Sequence, residues 1–313
     1  MRDRSSSGHR FSRLARALTL AAPLLALGTF ALLELGDEPV PPTPELDVWM
    51  ILLAAQVAAW TIFMGVGVRG LVAIDALFEK WPSKRSLASP KSWRQETVWF
   101  LALVYGTLSL LLVLGGIAGI RNPFLLAGQG WKIPLLHVVA GAAAFPFFVG
   151  LKWIQLCAEE DMIWSATAND VERLKSFRRY LRTATAAMGT VVALAVVSTG
   201  ALRTAVESAN RTPPPEAFVI IYGAFLSGVV GATYIYVFSS IEARGRSMLQ
   251  VAVPLPDPGL PSADQFSAAT KLRGELAQEL ELGGDPTKNL EGLIAVFAPL
   301  IGALITGVGG LRS

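Results

Sequence analysis

Hydrophobic positions along the chain gather into long unbroken blocks instead of alternating or recurring every three to four residues. Seven such runs occur, near 17–35, 48–70, 97–120, 133–156, 183–202 and 217–240, with a weaker one at 293–311. A helix crossing a hydrocarbon core about 30 Å thick needs roughly 20 apolar residues, and these lengths fit. A membrane-spanning strand would instead show about ten residues of alternating character, so the blocks read as helices. The pattern predicts an all-α fold: a polytopic transmembrane helix bundle of six or seven spans.

The first run follows five arginines, as signal peptides and signal anchors do. Its apolar core is longer than that of a signal peptide, and the ALLELGDEP that follows lacks a clear small-x-small cleavage site, so a retained helix is expected. The last run contains Pro299, which removes one backbone hydrogen bond near its middle. Proline is tolerated in membrane helices, and a seventh span is expected there, with a re-entrant segment as the alternative.

Composition agrees with the pattern. Of the 313 residues, 52% are hydrophobic and 16% charged, against about 25% charged in an ordinary soluble domain. The abundance of alanine and the excess of arginine over lysine hint at a bacterial origin. The single cysteine, Cys157, allows no internal disulfide and reads as an inert thiol.

Charge adds sidedness, because short loops rich in Lys and Arg resist translocation. Residues 1–16, 79–96, 158–182 and 241–288 hold most of the 27 cations, whereas the alternate loops hold only Arg121, Lys132, Arg203, Arg211 and Arg312. The lysine- and arginine-rich set is therefore expected in the cytoplasm, with the N-terminus inside and the chain in the inner (plasma) membrane. Arg69 and Lys152 fall at the ends of apolar runs on that side, where long side chains reach the headgroups. The stretch ERLKSFRRYLR, Glu172 to Arg182, reads as a helical anchor to anionic lipid. Asn169 followed by Glu172 predicts the cap of a helix that starts near Asp170 and runs on into the fifth apolar block.

Four regions follow: a basic tail at 1–16, a six-helix bundle at 17–240, a cytoplasmic segment at 241–288 and a C-terminal membrane segment at 289–313. The third begins with a continuation of the sixth helix and breaks at the prolines of VAVPLPDPGLPS. A short amphipathic helix should follow, capped by Ser262 with Gln265 and stopped at Gly283-Gly284. Phe266, Ala269, Leu276 and Leu280 share one of its faces. That stripe fits packing against the chain's own bundle or docking of a partner protein.

Candidate chemistry is sparse. The only histidines are His9 and His137, so no bis-histidine haem site forms within one membrane-embedded chain, and no H-E-x-x-H, C-x-x-C, phosphate loop or nucleophile elbow is present. His137 near the outer end of the fourth run is a polar candidate. Glu159, Glu160 and Asp161 form the densest acidic cluster, yet adjacent helical residues point apart, and a solvated helix end explains them as well as a cation site does. Small residues recur four apart at Gly223, Ser227 and Gly231 and again at Gly302, Thr306 and Gly310, the spacing that lets membrane helices approach closely. Such faces serve packing within the chain, self-association or a partner's helix.

These features predict no catalytic residues, no metal and no cofactor. They point to a non-enzymatic component of a membrane-associated system, embedded in the lipid bilayer and contacting a membrane or cytoplasmic protein through 241–288. A homo-oligomer is compatible with the small faces, and nothing suggests nucleic acid. The alternative is a transporter for an uncharged or hydrophobic small molecule, motivated by Pro146, Pro299 and spans without central charges.

Overall fold

The computed structural model describes residues 24, 27–28, 43–79, 132–159, 167–208, 216–254 and 263–282. Every regular element among them is an α-helix: α1 (Pro44–Glu79), α2 (Lys132–Glu159), α3 (Ala168–Ser208), α4 (Glu216–Ala252) and α5 (Ala263–Glu279). The runs at 97–120 and 293–311, and nearly all of 17–35, lie outside the described residues. Helices α1, α3 and α4 each contain a stretch long and apolar enough to cross a membrane.

Local chemistry sets the helix ends. Thr43 caps α1, its Oγ1 accepting from the Leu46 amide at 3.3 Å, with Pro44 in the first turn and Glu45 and Asp47 complementing the helix dipole. At α3 the cap differs from the expected Asn169 and Glu172. Thr167 Oγ1 accepts from the Asp170 amide at 3.4 Å, and the Asp170 carboxylate accepts from the Thr167 amide at 3.2 Å. Asp170 wins because it also pairs with Arg173 at 3.1 Å and is buried with it, whereas Glu172 is exposed. From there α3 runs without a break for 41 residues, about 60 Å, or twice the hydrocarbon thickness.

Pairwise contacts give the directions. Thr43 meets Ser208 at one end of the α1–α3 seam, and Gly70 meets Tyr180 at the other, so these helices are antiparallel. Gly67 of α1 faces Pro146 and Phe147 of α2, and Gly150 of α2 meets the same Tyr180, so α1 and α2 are parallel. On α4, Val219 packs with Val196 while Glu242 pairs with Arg178, again antiparallel to α3. Helix α3 is thus the common partner of three helices that all end on the same side. The polar extensions of α3 and α4 meet there, and α5 packs on them.

The largest core cluster sits toward that end, built from Phe147, Leu151 and Ile154 of α2, Leu174, Phe177 and Leu181 of α3, and Val237, Ile241 and Met248 of α4. A second joins α1 and α3 near the opposite end through Trp49, Leu53, Trp60, Leu202 and Val206. Thr61, Thr185 and Thr233 return their hydroxyls to the carbonyl four residues back, at 2.8–2.9 Å, which leaves their methyls as packing surface.

Candidate functional site

The described polar side chains converge where α3, α4 and the C-terminal end of α2 emerge together. Periodicity brings Arg178 to the inner face of α3, in line with Leu174, Leu181 and Thr185. Its guanidinium is almost fully covered and reaches Glu242 of α4 at 2.7 Å, with Glu242 itself 13% exposed. A second nitrogen of Arg178 donates to the Glu281 carbonyl at 2.5 Å. One buried cation therefore ties α3 and α4 to the chain that leaves α5. A buried ion pair of this kind specifies geometry more than it adds net stability.

Helix α5 is fastened by its C-terminal half. Leu280 is fully buried in the main core, Leu276 packs against that core, and the Leu282 side chain lies over Gly245 of α4, which Leu174 of α3 also approaches. Around this apolar contact, Arg182 pairs with Glu281 at 3.4 Å and Lys175 donates to Glu279. Lys175 stands outside the apolar block of α3, and its pKa is held above the usual lysine value by that Glu279 hydrogen bond. The helix ends earlier than the expected Gly283-Gly284. Glu281 takes a left-handed φ of 54°, and the amides of Glu281 and Leu282 return to the carbonyls of Gln278 and Ala277 at 2.9 and 2.7 Å. The Arg178 bond to the Glu281 carbonyl and the burial of Leu280 hold the stop at that point.

Of the expected apolar face, then, Leu276 and Leu280 are spent within the chain. Ala269 is half-covered, Phe266, about four turns from Leu280, is 50% exposed, and Leu272, on the flank of that face, is 54% exposed. Arg273 donates to the Val253 carbonyl at 3.1 Å, which fixes the middle of α5 against the end of α4.

Beside this clamp lies a polar relay between α2 and α4. Lys152 donates to Gln155 Oε1 at 2.8 Å, Gln155 Nε2 donates to Glu159 at 2.6 Å and to the Tyr236 hydroxyl at 2.9 Å, and Ser240 donates to Glu159 at 2.9 Å. Arg244 Nε caps the end of α2 by donating to the Ala158 carbonyl at 2.6 Å. An open cleft of about 450 Å³ runs over Glu159, Ser240 and Arg244. Both Glu159 oxygens accept hydrogen bonds, one from Gln155 and the other from Ser240. Among the described residues no three His, Cys, Asp or Glu side chains could hold a metal ion together. Glu160 and Asp161 lie outside the described residues, and His137 falls near the start of α2, where only the backbone is described.

Gly223, Ser227 and Gly231 are all buried on α4. Gly302, Thr306 and Gly310 lie outside the described residues. Pro146 is occupied by close packing: Gly67 lies against it, and its carbonyl accepts from the Tyr180 hydroxyl at 3.2 Å. Arg173 and Arg178, expected among the lipid-facing cations of ERLKSFRRYLR, are instead buried and paired with carboxylates, while Arg179 is exposed. The signal was present in the sequence, since Arg178 keeps helical spacing with Leu174 and Leu181 whereas Arg179 does not.

No family model, curated protein or solved structure matches this chain. The functional reading rests on the geometry.

Proposed function

We propose that the chain is a multi-pass inner-membrane protein without catalytic activity, a component of a membrane-associated system that receives a partner protein on α5. The observation that carries this is the division of α5's single apolar stripe. Its C-terminal half is clamped onto α3 and α4 by Leu280 and the Arg178 network, whereas Phe266 near its N-terminal end and Leu272 on its flank stay uncovered. A helix that served only to close the bundle would gain from burying both halves, because each such side chain contributes about 1.5–3 kcal/mol on full burial. Presenting Phe and Leu on a rigidly held helix is what docking into an apolar groove of another protein uses.

We place the α5 end in the cytoplasm on the distribution of Lys and Arg, and assign six or seven spans. The parallel course of α1 and α2 supports this count, since parallel neighbours need a return crossing between them, and the apolar run at 97–120 is long enough to provide it. The test is gentle-detergent purification from native membranes of the wild type and of a Phe266→Ser/Leu272→Ser variant. A stoichiometric protein present with the wild type and lost with the variant supports the reading. A partner retained equally by both, or none with either, refutes it.

A further inference from the structure

The clearest unassigned surface is the side of the α1–α3 seam turned away from α2. Gly70 and Tyr180 are in contact across the seam, which puts the residues next to them at one depth in the bundle. In two antiparallel helices the residue preceding each contact member swings about 100° to the same side of the seam. Those residues are Arg69 and Arg179. Gly67 turns the other way, toward Pro146 and Phe147, so α2 covers the opposite side. Both arginines are exposed, and neither has an ion-pair partner among the described residues, in contrast to the buried Arg178 one position away.

Below this pair of cations the same side is apolar. On α1 the exposed positions continue through Ile62, Ala55 and Ile51; on α3 they continue through Thr183, Ala186 and Thr190. Thr183 and Thr190 turn their hydroxyls back to the carbonyls of Arg179 and Ala186 at 3.0 and 2.9 Å, which presents their methyls outward. From Arg69 to Ala55 the trough runs about 20 Å, more than one leaflet of a core about 30 Å thick. Arg69 closes the apolar block of α1, and Arg179 precedes that of α3, so both guanidiniums fall at headgroup level.

We propose that this surface is a binding site for one anionic phospholipid, its phosphate held between Arg69 and Arg179 and an acyl chain lying in the trough over Ile62 and Ala186. Charge complementarity selects the occupant: two guanidiniums at one depth on one side of the seam, without ion-pair partners among the described residues, favour phosphate, which they bind through paired N–H donors. A neutral helix laid in the trough would leave both charges unanswered at its end. The inference rests on the chain being embedded in a bilayer and is independent of the partner on α5.

The test is native mass spectrometry on protein taken from vesicles of phosphatidylcholine alone or of an equal mixture with phosphatidylglycerol. The wild type should retain one phosphatidylglycerol in preference to phosphatidylcholine. Arg69→Gln/Arg179→Gln should bind it roughly 30-fold more weakly, the sum of about one basic-residue contribution for each arginine lost. Ala186→Trp fills the trough with both arginines kept and should lower retention too, so the question is answered even if the arginine variant misfolds. Equal retention in the variants, equal retention of the two lipids, or displacement by inorganic phosphate overturns the site. Failure to insert into either vesicle would overturn the membrane reading itself, whereas insertion without lipid preference overturns only this proposal.

Discussion

The phenol of Tyr180 on α3 donates to the carbonyl oxygen of Pro146 on α2 at 3.2 Å, and in reaching it the ring fills the space that side chains at Gly70 and Gly150 would need. A methyl group at either glycine would stand 2.2 Å from Tyr180 atoms. The ring is held from both sides and cannot swing away. Gly70→Ala is therefore expected to destabilise the protein by about 1–3 kcal/mol, the usual cost of overpacking. The same substitution in a Tyr180→Ala background should cost well under half as much, since the clash is gone. Thermal unfolding in detergent of the two single variants and the double variant checks this.

Arg178 and Glu242 should show the asymmetry of a buried ion pair. Glu242→Ala leaves a covered guanidinium without its carboxylate and is expected to cost about 3–5 kcal/mol. Arg178→Met combined with Glu242→Leu should cost much less, because no buried charge remains. Unfolding midpoints of these two variants and of Arg178→Met alone separate this from a merely additive loss.

Glu281 offers a substitution with the opposite sign. A non-glycine residue in the left-handed region costs about 1–2 kcal/mol. The Arg182 pair that Glu281→Gly would lose is partly exposed on both sides and is worth no more than about 1 kcal/mol. Backbone relief wins, and the Arg178 bond to the carbonyl survives, so Glu281→Gly should raise the unfolding midpoint. Glu281→Val, which is branched at Cβ and tolerates positive φ poorly, should lower it.

The two halves of α5 should respond differently to truncation. Leu280→Ala removes a fully buried side chain and is expected to cost about 2–5 kcal/mol. Phe266→Ser and Leu272→Ser should leave stability within about 0.5 kcal/mol, as substitutions of exposed residues usually do. Hydrogen exchange of α5 amides gives the local readout: faster throughout the helix in Leu280→Ala, unchanged at its C-terminal half in the other two.

Much of the helical framework is legible in the sequence, because apolar block length and capping chemistry are local properties. The described helices coincide with the blocks at 48–70, 133–156, 183–202 and 217–240, and both the polar run into α3 and the break after α4 follow from residue order. Helix ends were displaced by contacts that local reading does not contain. Asp170 outcompeted Glu172 through Arg173, and Glu281 took the left-handed stop through Arg178. The Tyr180 wedge was hidden because Tyr180 stands in a cationic stretch while its receiving glycines are over a hundred and about thirty residues away. Gly67 and Gly70 in one block, with Pro146 and Gly150 in another, are the sequence signal that a large side chain from elsewhere must fill. Which part of the α5 stripe stays uncovered follows only from where α5 lands on α3 and α4.

The claim that α5 presents a docking surface is tested most directly by placing a photo-cross-linking amino acid at position 266, 272 or 280 in turn and irradiating native membranes. The account predicts that positions 266 and 272 form an adduct with one and the same partner protein, while position 280 reacts only within the chain. Adducts from 280 to another protein, or none beyond the chain itself from 266 and 272, would contradict it.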